Sequence, residues 1–127
     1  MTTQIDPSVR EALARGGRID ITTTGRKTGQ AHRIEIVFHN VGGRLYISGM
    51  PGCKRSYIAN LSANSHFVFH LKDGVSADLP ATARIITGEA ERREVMPHIA
   101  RNWKRDDVDG MVADSPLFEV TIDGLAV

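Results

Sequence analysis

The chain has 127 residues, 41% hydrophobic and 24% charged, with one cysteine and a formal net charge of +1. That size and composition suit one compact globular domain with room for a single active site, and they exclude a disordered or fibrous protein. No apolar run approaches the ~20 residues of a membrane helix, and a net charge near zero lacks the positive field that grips nucleic acid.

In chain order, Asp6-Pro7 followed by "SVREALARGG" predicts a short helix, with Asp as N-cap, Pro at the first helical position and Gly16-Gly17 as the stop. "RIDITTT" (18–24) is rich in β-branched residues and predicts a strand. "HRIEIVFHN" (32–40) alternates Ile34, Ile36 and Phe38 with Arg33, Glu35, Val37 and His39, the period of a half-buried strand. Asn40 to Gly43 supply a turn, and "RLYIS" (44–48) predicts a third strand in an antiparallel meander. After the breaker cluster "GMPG", the run "CKRSYIANLSAN" sets Tyr57, Ile58 and Leu61 at helical spacing, with Asn64 as its end. "HFVFHL" (66–71) predicts a strand and Lys72-Asp73-Gly74 a hairpin turn. "VSADLPATARIITG" predicts a long strand interrupted at Pro80, which suits an edge or a bulge. "EAERREVMPHIARNWKR" (89–105) carries the stripe Val95, Ile99, Trp103 and predicts a helix kinked at Pro97. "LFEVTIDG" (117–124) predicts a closing strand. About six antiparallel strands with flanking helices and no βαβ alternation imply a mainly β fold, a small barrel.

The charge is unevenly placed. Residues 1–72 hold ten Arg/Lys against four Asp/Glu, net +6, whereas residues 73–127 hold six against eleven, net −5. Within 26–55 lie six cations (Arg26, Lys27, Arg33, Arg44, Lys54, Arg55) and one acid, Glu35. Such an excess is either a solvated face or a seat for a small acidic ligand. The same two alternatives meet in "ITTTGRKTGQ" (21–30), where Gly25 and Gly29 can take positive φ and aim backbone N–H groups at one spot beside Arg26 and Lys27. A phosphate-loop ATPase is excluded, because that motif leads from a strand into a helix and here a strand follows. Taken from composition alone, the stretch is a plain hairpin turn or an anion cradle.

Three blocks in order, "TTTGRKTGQ" with "HR", "GRLYISG" and "KRSYIANLSAN", resemble the deazaflavin (F420)-dependent nitroreductase family of the flavin/deazaflavin oxidoreductase superfamily, from about Arg18 to Leu71. The resemblance implies a split β-barrel of the FMN-binding type that binds coenzyme F420, a deazaflavin with a phosphate and an oligoglutamate tail. It assigns the anionic tail to Gly25, Arg26, Lys27, Thr28, Gly29 and Arg33. It lays the deazaflavin ring and phosphate along Ser48, Gly49 and the run Met50 to Arg55, which includes Gly52, Lys54 and Arg55. Asn60, Leu61, Ala63 and Asn64 match the helix motif that supports the site. Met50 and Pro51 depart from the family's usual cofactor loop. A cofactor that brings its own hydride chemistry explains the lack of any catalytic triad or carboxylate dyad in the sequence. The implied activity is hydride transfer from the reduced deazaflavin to an electron-poor acceptor such as a quinone, enone or nitro compound. The alternatives are an FMN-dependent oxidoreductase of the same fold and a non-catalytic carrier of a cofactor, haem or lipid.

Outside these blocks, His66 and His70 share one strand face without further ligands at zinc spacing, so no metal site is expected. Cys53 is either a thiolate at a helix start or inert packing. His39 and Tyr46 are either proton donors or cross-strand surface partners, and Trp103 is either core or the mouth of the substrate site. The opening "MTTQIDPSVR" lacks the layout of a secretion signal and the lone cysteine cannot form an internal disulfide, so the expected location is the cytoplasm. An unpaired strand edge would give the barrel a reason to form a homodimer.

Overall fold

A computed structural model describes residues 7–49, 56–72 and 75–123. Helix α1 (Pro7–Arg15) leads into strands β1 (Gly17–Thr24), β2 (Ala31–Val41) and β3 (Arg44–Ser48). Helix α2 (Ser56–Ala63), strands β4 (His66–Leu71) and β5 (Ala77–Ile85), helices α3 (Glu89–Asn102) and α4 (Val108–Asp114) and strand β6 (Leu117–Ile122) follow. All neighbours pair antiparallel, and the strands close into a six-stranded barrel in the order β1-β2-β3-β6-β5-β4.

Alternation along each strand fills the barrel. Ile19, Ile21, Phe38, Ile47, Phe69 and Phe118 are all but sealed from solvent, and the Phe38 and Phe69 rings meet edge to face at 5.0 Å. Val9, Ala12 and Leu13 of α1 and Tyr57 and Leu61 of α2 join this core. A second core lies outside the barrel wall, where α3 and α4 cover Tyr46, Ile86 and Leu117 with Val95, Met96, Ile99 and Met111.

Several expectations change. Pro80 is not on a sheet edge, because closure leaves β5 paired with β4 on one side and β6 on the other. In an antiparallel ladder the N–H and C=O of a residue face the same neighbour. The Pro80 carbonyl accepts from the Asp123 N–H at 2.9 Å, one residue past the end of β6, so its missing N–H faces the frayed corner of the sheet. Closure also removes the unpaired edge that argued for a homodimer. The late helix ends at Asn102 rather than 105, runs through Pro97, and is followed by the separate helix α4, for which the sequence carries no local signal. His39 and Tyr46 do face each other across β2 and β3, yet each is only 3% exposed because α3 and α4 pack over them, so they are not surface partners.

Candidate functional site

The β1–β2 connection is a closed turn. Gly25 N–H donates to the Gln30 carbonyl at 2.7 Å, Gly29 N–H donates to the Gly25 carbonyl at 2.9 Å, and Gly29 has φ +73°. Gly25 is buried, and a Cβ there would sit 2.8 Å from Nε2 of His32 and 3.2 Å from the Gln30 carbonyl, so crowding favours glycine at Gly25 and the positive φ favours it at Gly29. The Gln30 N–H donates to Oγ1 of Thr28 at 3.3 Å. Arg26, Lys27, Thr28 and Gly29 are exposed, and neither Arg26 nor Lys27 has an ion-pair partner among the described residues.

Asn60 of α2 holds this turn from beneath. The side chain is 3% exposed; Oδ1 accepts from the Arg26 N–H at 3.2 Å and Nδ2 donates to Oγ1 of Thr23 at 3.1 Å. Both ends of the amide are therefore used within the protein, and Asn60 fixes the turn. Four N–H groups of the connection, those of Gly25, Arg26, Gly29 and Gln30, are taken by this internal bonding; those of Lys27 and Thr28 are not among them.

The other cations divide. Arg33 points from the outer barrel face and its Nε lies 3.0 Å from Asp20. Asp20 also accepts from Lys72 at 2.9 Å, and these two hydrogen bonds, Lys72 first and Arg33 second, hold its carboxyl below the usual carboxylate range. Arg44 stands at the far end of β2, ~33 Å along the strand from the turn, and pairs with Glu119 at 3.8 Å. Lys54 and Arg55, together with Met50, Gly52 and Cys53, lie outside the described residues. Of the six cations noted in the sequence, Arg26 and Lys27 thus share one exposed place, while Arg33 and Arg44 are engaged elsewhere.

Ser48 ends β3 and is 6% exposed; its hydroxyl donates to the Pro116 carbonyl at 2.6 Å. This bond joins the end of β3 to a cleft of about 610 Å³ between α2, the ends of β5 and β6, and the α3–α4 pair. Ile58, Ile85, Ile86, Pro116 and Phe118 supply its apolar wall, and Ile85, 49% exposed, is a large hydrophobic left open at its lip. Ile58 and Asn60 are two residues apart on α2, so they lie about 200° apart around the axis and ~3 Å along it. The basic turn and the cleft accordingly lie on different sides of α2.

Behind the cleft, Arg92 is buried and donates to the carbonyls of Val112 (2.6 Å), Ile86 (2.8 Å), Met111 (3.1 Å) and Ser115. Three of these carbonyls belong to the last turn of α4 and the residue after it, where the helix dipole is negative, so the cation is held without a carboxylate. Burial pushes its pKa down, although Asp114 opposes this. The sequence offered a signal for Arg92, since it lies one turn before Val95 on the stripe that continues to Ile99. It offered none for Ser115 and Pro116, which follow a stretch without helical or strand periodicity.

His39 has a different environment. Its Nδ1 accepts from the Asn102 amide at 3.1 Å, its ring meets Trp103 edge to face at 5.0 Å, and its Nε2 is buried with no hydrogen-bond partner among the described residues. Desolvation lowers its pKa to about 4. Trp103 is half-buried against the second core. His70 bonds Oγ1 of Thr22 at 2.7 Å and Asp78 at 2.6 Å on the outer barrel face. Among the described residues, no three His, Cys, Asp or Glu side chains gather as metal ligands. No described helix is long and apolar enough to cross a membrane.

A sequence profile described as F420H(2)-dependent quinone reductase matches residues 4–122. The chain belongs to that family. The match runs through β6, well past the part of the chain where the resemblance was read. Among curated proteins, none matches. Solved structures with the same fold include an F420 reductase (TM-score 0.70, 14% identity, covering 93% of this chain and 95% of that one). Another is an F420-H2 dependent reductase called FDR-A (0.55, 23%, 83% and 94%). A third is a candidate 5-nitroimidazole antibiotic resistance protein from Bacteroides thetaiotaomicron (0.72, 16%, 97% and 82%). The split-barrel fold is the one the resemblance implied.

Family membership makes the chain an F420-dependent oxidoreductase, and takes coenzyme F420 over FMN and an enzyme over a passive carrier. The residues present fit an anionic cofactor: the turn presents Arg26 and Lys27 to solvent, unpaired among the described residues, on a backbone fixed by a buried amide.

Proposed function

We propose that the chain, as one split-barrel domain, transfers a hydride from reduced coenzyme F420 to a small electron-poor acceptor, with quinones as the leading class and enones and nitro compounds behind them. The observation that carries this is the pairing, on opposite flanks of α2, of a clamped basic turn with an apolar-walled cleft.

In this reading Arg26 and Lys27, with the Lys27 and Thr28 N–H groups, take the anionic tail, and Gly25 and Gly29 shape the turn. Asn60 keeps the turn in place before the ligand arrives, which lowers the ordering cost of binding. Arg33 braces β1 against β2 through Nε, and the remaining exposed face of its guanidinium adds positive charge beside the turn. The end of β3 at Ser48 and Gly49, and the segment Met50 to Arg55 after it, would border the ring. The bound cofactor supplies the hydride; the protein binds, orients and keeps water from the reacting faces.

The partner is a small molecule, and a homodimer is the assembly to test by sedimentation. Titrating oxidised F420 into the protein while following its fluorescence, then mixing the reduced cofactor with menadione, an enone and a nitroaromatic, tests the whole reading. Saturable binding with quinone turnover supports it, and no turnover of any acceptor despite binding refutes the acceptor class.

A further inference from the structure

The wall of the cleft includes Ser115, whose hydroxyl has no partner among the described residues. Ser115 follows α4; its N–H donates to the Met111 carbonyl at 3.0 Å and its own carbonyl takes Arg92. Its backbone is therefore fixed from both sides. Its hydroxyl is different: the residue is 3% exposed, and Oγ is buried with no hydrogen-bond partner among the described residues. A buried hydroxyl without a partner costs free energy, so a site that keeps one gains when a ligand supplies an acceptor.

The rim of the same cleft carries three acids against two cations. Glu89, Asp109 and Asp114 stand there against exposed Arg93, which bridges Glu89 at 3.0 Å and Asp109 at 2.9 Å, and against Arg92, whose guanidinium is turned into carbonyls. The negative half of the sequence thus borders this cleft, whereas the basic turn across α2 belongs to the positive half. A bound polyanionic tail would cancel the field of the turn and leave the mouth of the cleft negative.

We propose that this cleft is the acceptor site, that it favours uncharged planar carbonyl compounds over anionic ones, and that the Ser115 hydroxyl donates to the acceptor oxygen that becomes charged. This rests on the deazaflavin-dependent reading above. The acceptor gains a hydride at a ring carbon, which leaves negative charge on the conjugated oxygen; Ser115 stabilises that charge with a hydroxyl that has no other partner among the described residues, and the oxygen then takes a proton from water. The resulting keto tautomer loses a proton from that ring carbon and gains one at its second oxygen from water to give the hydroquinone. One proton is released to solvent for each reduced cofactor consumed, so the overall change is quinone and reduced cofactor to hydroquinone and oxidised cofactor. Ile58, Ile85 and Pro116 cover the faces of the ring.

The test compares menadione with 1,4-naphthoquinone-2-sulfonate in the wild type, Ser115→Ala, Ser115→Thr and the double variant Asp109→Asn/Asp114→Asn. Cofactor affinity is read by fluorescence, and menadione binding to the oxidised holoenzyme by equilibrium dialysis. The wild type should prefer menadione by about 10-fold or more in kcat/KM at low salt, with the preference shrinking at 0.5 M salt. The double Asn variant should narrow it. Ser115→Ala should lose about 10- to 100-fold in kcat and bind menadione more weakly, with unchanged cofactor affinity and an unchanged or raised Tm, a combination that a structural serine would not give. Ser115→Thr should recover part of the rate. Lack of cofactor binding by the wild type overturns the underlying reading. Tight cofactor binding with equal use of the two quinones, or with Ser115→Ala kinetics and menadione binding like wild type, overturns this inference alone.

Discussion

Replacing Asn60 with alanine separates the turn from the helix that fixes it. The substitution removes the acceptor of the Arg26 N–H and the donor to Thr23, whose own side chain is 2% exposed. Each lost hydrogen bond has a net worth of about 1 kcal/mol, and the stranded Thr23 hydroxyl adds a desolvation penalty of similar size. The expected destabilisation is about 2–3 kcal/mol, a fall in Tm of roughly 7–11 °C for a chain of this length. Thr23→Val should cost about 1 kcal/mol, and the double variant should cost less than the sum, with a coupling near 1 kcal/mol. Urea unfolding of the four proteins measures the cycle, and cofactor titration of the same samples should show about 10-fold weaker binding for Asn60→Ala, because the turn must then be ordered on binding. A loss of stability under 0.5 kcal/mol with undiminished cofactor affinity would refute the clamp.

Lys27→Glu should weaken F420 binding by about 1–3 kcal/mol while leaving urea stability within about 0.5 kcal/mol, and unaffected affinity would remove Lys27 from the site. Arg92→Met should cost more than about 3 kcal/mol, since four carbonyls lose a shared donor, and Arg92→Lys, which keeps the charge without the planar fork, should recover little of it in the same unfolding assay. His39 stays neutral in the fold down to about pH 4 but protonates near 6.5 when unfolded, so the unfolded state binds the extra proton within that window. Stability must therefore fall as pH drops from about 6.5 to about 4, by about 2 kcal/mol at pH 5 and about 3 kcal/mol once below 4. His39→Asn, which keeps an acceptor for Asn102, should flatten that part of the stability profile, and a profile identical to wild type would show that the imidazole is not buried as described.

Much of the barrel was legible because its strands obey local rules. The alternation in "HRIEIVFHN" and the β-branched run "RIDITTT" place Ile19, Ile21, Ile36 and Phe38 inside by period alone, and Gly25 and Gly29 mark the turn because glycine takes turn conformations that other residues resist. Pro80 misled for a reason outside the sequence window: whether its missing N–H faces a strand or a frayed corner depends on where β6 ends. The stretch 106–116 was unreadable because a seven-residue helix carrying Asp109, Gly110 and Asp114 has little propensity of its own and exists through packing and the Arg92 fork.

The sequence by itself determined the order of strands, the glycine-bounded basic turn and the family to which the chain belongs, since these rest on periodicity, turn chemistry and residues close together in the chain. Only the tertiary structure decided which cations remain available, because Arg33 meets its partner Asp20 across two strands and Arg44 is carried to the far end of β2. It alone brought Asn60 under Arg26 and set Ile58, Ser115 and Arg92 around one cleft. Contacts between residues tens of positions apart depend on barrel closure and helix packing, and no local pattern in the chain encodes where those bring a side chain to rest.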